Sequence, residues 1–458
     1  MLANVCRWAA ALALGAIGLA GCNPDTTEVS PNVRDQQQLE NALMVDTFRL
    51  DGATQRFDST LVYPSTNTAL AVGGASLVVG AHQSLQTGTL ASVGVFDFGL
   101  PLTITRFPDN LVADSLVIRL PFRFQHTPPG ATQLVLNLHR LQAPFDKDSI
   151  YLASSARSYD ATPLATATIA VDTTRISGEV LFKLPATDTL LQNLVAFGKR
   201  ADFGATYADE VAFARRFRGF ALVPQGNSTP VVSFRLRDGL LALYGRSDTV
   251  RFSRAFNLRG AGAGGNQYFS YARADRTGSD LAALATTRLL PAAQAGNRVY
   301  IQSLGALWGR VNWPTYVGFR RANPGLTLIR AVLELPADPI PAGRRNGPLP
   351  QLIAWQGTAD ALAVGRNTFF AKALPAGRNT TAAGVLDAFY QGYSPAATSY
   401  QIEVTNYLLG IENGTQIDGG LLLAPAAGEP FLAPFSFSTD PASARRARLR
   451  AYFVRLVR

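Results

Sequence analysis

The chain has 458 residues, 47% of them hydrophobic and 16% charged, with a formal net charge of +10. That balance excludes a disordered polyelectrolyte and suits a globular protein with a substantial core. The length allows two or three domains of ~100–200 residues each.

In chain order, Arg7 comes first, followed by a 13-residue run from Trp8 to Ala20 without a charge. Small residues then lead into Cys22. This is the layout of a secretory signal, and the apolar run is too short for the ~20 residues that span a bilayer. Leu19-Ala20-Gly21-Cys22 resembles the lipobox of bacterial lipoproteins. That resemblance implies cleavage between Gly21 and Cys22, and lipid on the Cys22 thiol. Cys6 then leaves with the signal, so no thiol remains for a disulfide, a metal or a nucleophile. Residues 22–40 are polar, carry Pro24 and Pro31, and read as a lipidated cysteine on a flexible tether.

Only Lys147, Lys183, Lys199 and Lys372 among the 42 cations are lysines. An arginine-rich surface could face phosphate or carboxylate, but coding bias is the favoured explanation of the composition. Export and the absence of any recognition motif exclude nucleic acid as a partner.

From Thr47 the pattern becomes short alternating runs separated by Gly, Pro and Asn. The strongest strands are Asp114-Ser-Leu-Val-Ile-Arg-Leu, with its branched residues, and Leu134-Val-Leu-Asn-Leu-His-Arg-Leu, which alternates as a one-sided strand does. Strands at this spacing without recurrent helices predict an all-β chain of two β-sandwich, jelly-roll-like domains with a few short helices. The expected division is a first sandwich at 41–258, a Gly-rich segment at 259–285 and a second sandwich at 286–458. A repeat supports two units. Asp114–Leu120, Val180–Leu184, Gly219-Phe-Ala-Leu-Val-Pro, Val232-Ser-Phe and Leu240–Arg246 recur in order as Leu328–Leu335, Tyr400–Val404, Gly420-Leu-Leu-Leu-Ala-Pro, Phe435-Ser-Phe and Leu449–Arg455.

With these stretches in hand, the chain resembles an uncharacterised Bacteroidota outer-membrane lipoprotein family, a domain of unknown function. The residues that carry this are the lipobox, Asp114–Leu120, Gly278-Ser-Asp-Leu, Tyr300-Ile-Gln-Ser-Leu-Gly, Val311-Asn-Trp-Pro and the closing strands. Tyr400 to Leu423 is also similar to non-catalytic jelly-roll modules of secreted carbohydrate enzymes. Neither resemblance implies a reaction.

Tests for chemistry are mostly negative. Gly260-x-Gly262-x-x-Gly265 fits the dinucleotide fingerprint formally, but Asn266-Gln-Tyr-Phe-Ser-Tyr follows it as a strand, where the motif needs a helix. His82, His126 and His139 do not occur at ligand spacing, and there is no G-x-S-x-G elbow. Asp97, Asp109, Glu334 and Glu403 lie on or beside predicted strands with nothing to pair any two of them. Trp308, Trp313 and Trp355 fall in the second half near Tyr300, Tyr316 and Tyr390. Such rings are core in most proteins but stack on sugars when exposed, and Trp308 followed by Trp313 are the candidate stacking residues.

The expectation is therefore an outer-membrane lipoprotein held through lipid on Cys22, with no catalytic residue, metal or cofactor. It acts as a non-catalytic binding or assembly subunit toward an envelope protein or glycan. The alternatives are a glycan-binding surface lipoprotein, and a hydrolase with a triad or carboxylate pair assembled across strands.

Overall fold

In the computed structural model, the described residues are 43–57, 76–100, 104–146, 151, 154–172, 176–204, 207–256, 268–336, 344–345, 352–356, 390–391, 399–416, 418–425 and 431–455. The expected signal, Gly21, Cys22, the expected tether and Gly260–Gly265 lie outside them. The chain is all-β, built of curled antiparallel sheets with a few short helices. Among the described residues no helix is long and apolar enough to cross a membrane.

The long strand Leu111–Thr127 is the spine of the first sandwich. It alternates buried and outward residues, with Leu116, Ile118, Leu120 and Phe124 at or below 2% exposure. Such alternation follows from the two-residue period of a strand with one face on a core. It pairs with Ser177–Pro185 and Leu240–Ser247. The facing sheet is led by Gly88–Phe96, which pairs with Phe220–Pro224, and that strand in turn pairs with Gln133–Arg140. Leu77–Ser84 joins the two layers through Val231–Phe234. Between the layers, Phe98, Phe197, Phe213, Phe217 and Phe220 form a contiguous aromatic cluster. Each fully buried ring contributes roughly 1.5–3 kcal/mol relative to exposure. The helix Thr189–Gly198 lays Leu190, Leu191, Leu194 and Phe197 on this core. Asp188 caps it by accepting from the Leu190 and Leu191 N–H groups, a device worth ~1 kcal/mol.

The second sandwich repeats this plan. Leu326–Pro336 pairs with Ser399–Glu403 and Arg448–Arg455, and a helix, Thr405–Glu412, again follows the first of these partners. Leu307–Asn312 pairs with Leu421–Pro425, and that strand with Leu352–Gln356. Arg298–Ile301 pairs with Phe435–Ser438. Even an irregularity recurs. Asp114 is the extra residue where Leu111–Thr127 meets Leu240–Ser247, and Ile329 is the extra residue where Leu326–Pro336 meets Arg448–Arg455. Gly94 and Gly309 are equivalent as well. A Cβ on Gly94 would lie 2.8 Å from a Val79 methyl, and one on Gly309 would lie 2.9 Å from a Val299 methyl. The first strand of each hairpin packs too closely there for a side chain.

Strand pairing does not follow the expected division at 258 and 286. Asp51–Arg56, expected in the first sandwich, pairs with Leu307–Asn312 of the second. Leu43–Val45 pairs with Arg448–Arg455, also of the second. Conversely Tyr268–Asp275, expected between domains, pairs with Gly88–Phe96 of the first. Each unit thus sends a strand that precedes its own hairpin into the other unit's sheet. One hydrogen bond marks the equivalence. The Val78 N–H donates to Ser270 Oγ at 2.8 Å, and the Tyr300 N–H donates to Thr54 Oγ1 at 3.0 Å. A buried backbone donor needs a partner, and in both units the exchanged strand supplies it. The units also share apolar surface, since Leu304 and Leu432 of the second join Leu90, Val93 and Phe269 in one cluster.

Candidate functional site

The two units differ in the hairpin that each builds behind its exchanged partner. In the first, Leu77–Ser84 and Gly88–Phe96 stay paired out to Ser84 and Gly88. In the second, pairing stops at Gln302 and Leu307, which exchange N–H···O bonds of 2.9 and 3.0 Å and close a short turn over 303–306. A cavity of about 180 Å³ lies where the long hairpin passes the short turn. Leu90 and Ala272 wall it on the first side, and Leu304, Gly305 and Ala306 wall it on the second.

Two guanidinium groups line this otherwise mostly apolar space, Arg56 and Arg276. Arg56 ends the exchanged strand Asp51–Arg56, and its side chain donates to the Leu284 and Ala285 carbonyls. Arg276 directly follows the other exchanged strand. The next residues turn sharply: Asp275 accepts from the Thr277 N–H at 3.0 Å, and the Ser279 hydroxyl donates to the Arg276 carbonyl at 2.7 Å. Arg276 itself is 6% exposed. Its Nη1 donates to the Thr87 carbonyl at 3.4 Å and its Nη2 to the Gly305 carbonyl at 3.0 Å, so it staples the two hairpins together. Gly305 has no room for a Cβ, which would collide with Gln302 Oε1.

The electrostatics of Arg276 are unusual for the chain. Among the described residues no carboxylate forms an ion pair with it. Arg320, its side chain 15% exposed, by contrast holds Glu412 with two bonds of 2.7 and 3.1 Å. Burial pushes the Arg276 guanidinium down to about 10, and repulsion from Arg56 adds to the shift. It is still charged at neutral pH. The shift corresponds to about 3 kcal/mol against the buried charge.

The residues that the sequence singled out are placed elsewhere. Trp308 is half-buried, with Phe57 packed against it at 4.2 Å between centroids and tilted by 35°. Trp313 is 1% exposed and meets Tyr407 edge-on at 5.9 Å in the second core. The expectation of ligand stacking fails for Trp313, because a ring covered on all sides offers no face. Tyr300 and Tyr316 are buried as well.

The three histidines lie in two separate places. His82 and His126 pack edge to face at 5.0 Å, each under 7% exposed. His139 Nδ1 lies 2.7 Å from the Asp160 carbonyl oxygen, beside Tyr159. Of the carboxylates, Asp109 meets Arg106, Glu334 meets Arg450, and Glu403 meets Arg330 at 3.2 Å. Among the described residues no group of three or more His, Cys, Asp or Glu could hold a metal ion.

Sequence reasoning missed Arg56 and Arg276. Neither sits in a motif, and both look like surface cations in an arginine-rich chain. Only the Asp275-Arg276-Thr277-Gly278 turn gave a local signal, and it marks a turn, not a cavity. Compared with family models and with curated proteins, the chain finds no match.

Proposed function

We propose that this chain is an outer-membrane lipoprotein, held through lipid on Cys22, that works as a non-catalytic binding or assembly subunit of the bacterial envelope. Its resemblance to an uncharacterised Bacteroidota lipoprotein family supports the location. The observation that carries the binding role is the cavity between the two hairpins, where polar side chains converge on a mostly apolar wall. Preformed concavities at the junction of two units, with a few placed polar groups, are where proteins hold ligands. Loops on a rigid β scaffold commonly carry such function. Of the two candidate stacking residues, Trp308 keeps some exposure and Trp313 does not.

Two measurements test this. Cys22→Ser is expected to leave uncleaved precursor or soluble protein, since two or three acyl chains are what make an anchor stable. Mature-sized Cys22→Ser protein in the membrane fraction would overturn the anchor. The purified chain is expected to turn over none of a panel of esters, peptides and glycosides. Turnover that is lost on changing one His or Asp would overturn the non-catalytic role.

A further inference from the structure

The geometry points to the cavity between the two hairpins as a binding site for one oxyanion group, a phosphate or a carboxylate, held jointly by Arg276 and Arg56. This rests on the binding role proposed above and names the chemistry of what is bound.

Three observations converge on it. First, a guanidinium that is 6% exposed lines a cavity and has no carboxylate partner among the described residues. Two carbonyls take two of its five N–H donors, so donors remain for a group entering the space. Second, a further guanidinium lines the same cavity, close enough to repel the first. Both guanidinium groups attract an anion that enters the space between them. Third, size restricts the ligand. A cavity of about 180 Å³ is smaller than the ~300–1,000 Å³ pockets that enclose whole drug-sized molecules. It suits a compact ion or the charged end of a larger ligand, and guanidinium recognises such groups by bidentate bonding.

The position matters for what binding would do. Arg56 leaves the strand that the first unit lends to the second, and Arg276 leaves the strand that the second lends to the first. An anion gripped by both would therefore tie the two exchanged strands together. Binding should register as stabilisation of the whole chain.

The test uses the purified full chain in detergent, with thermal melting and titration calorimetry. The probes are inorganic phosphate, acetate and glucuronate, with chloride at matched ionic strength as the control. Phosphate or a carboxylate is expected to raise the melting temperature saturably, and chloride is not. Phosphate alone acting identifies a phosphoryl group, and acetate and glucuronate alone acting identify a carboxylate. Arg276→Gln is expected to weaken the effective probe about tenfold or more, the loss of a charge-assisted bond, and Arg56→Gln to weaken it less. Should Arg276→Gln fail to fold, Ala272→Leu fills the cavity and keeps both arginines, and is expected to abolish the response. A chloride effect equal to that of the probes, or an undiminished response in Arg276→Gln or Ala272→Leu, overturns the site. An envelope partner retained equally by wild type and Arg276→Gln would overturn the oxyanion site and leave the binding role standing.

Discussion

The first and second sandwiches share a plan, and the points where they agree and differ have different causes. They agree wherever packing and backbone bonding are in charge: the bulges at Asp114 and Ile329, the close approach at Gly94 and Gly309, and the hydroxyl bonds from Ser270 and Thr54. They differ at the hairpin tips. Ser84 and Gly88 extend one hairpin, whereas Gln302 and Leu307 cut the other short. The cavity lies where the long hairpin passes the short turn.

The comparison breaks most visibly if the units are parted. A chain cut between 256 and 268 leaves Tyr268–Asp275 on the second fragment, and Leu43–Val45 with Asp51–Arg56 on the first. Each fragment then exposes unpaired strand edges and apolar surface. Neither is expected to give a cooperative melt by itself, and mixing the two should restore one. Cooperative melting of either fragment alone would mean that the exchanged strands are dispensable.

Tryptophan truncation comes next in size. Trp313→Ala removes a ring that is 1% exposed and should cost about 3–5 kcal/mol in denaturant unfolding. Trp308→Ala, half-buried against Phe57, should cost clearly less. Equal losses would place Trp308 in the core and remove it as a stacking residue.

The shared hydroxyl sharpens the equivalence. Ser270→Ala and Thr54→Val each leave a buried backbone N–H without its partner, at Val78 and Tyr300. Each should cost about 1–3 kcal/mol, and by similar amounts if the units are equivalent. A large loss from one and none from the other would show that the exchanged strands contribute unequally.

The smallest effect belongs to Arg276. Arg276→Met relieves a buried charge but strips the Thr87 and Gly305 carbonyls of a donor. Those terms nearly cancel, so stability at neutral pH should change by no more than about 1 kcal/mol. The alkaline limb separates them. The Arg276 guanidinium is held down at about 10, below its ordinary value. Between those values the folded chain has released a proton that the unfolded chain still binds. Wild type should therefore gain stability over Arg276→Met as pH rises through that window. Parallel stability curves for the two proteins would show that Arg276 is not depressed.

Much of the scaffold could be read from residues alone. Alternation in Leu111–Thr127 and Leu134–Leu138 is a local signal, because a strand with one buried face must alternate. The repeat was legible too, as Val232-Ser-Phe and Phe435-Ser-Phe take equivalent places against Val79 and Leu77 in one unit and Ile301 and Val299 in the other. Trp313 shows the limit, since a large ring reads the same whether its faces meet a ligand or a core.

What the amino-acid order determined is thus the all-β class, the strands, the turns and the doubling, all of which depend on neighbours a few residues apart. Tertiary structure alone decided which sheet each strand joined. Asp51–Arg56 and Tyr268–Asp275 carry strand patterns that suit either unit, and only packing and the hydroxyl bonds from Thr54 and Ser270 assign them. It alone also brought Arg56 and Arg276 to one cavity across 220 residues of chain. A guanidinium looks alike in sequence whether water or a protein wall surrounds it, and its desolvation is set by residues far away in the chain.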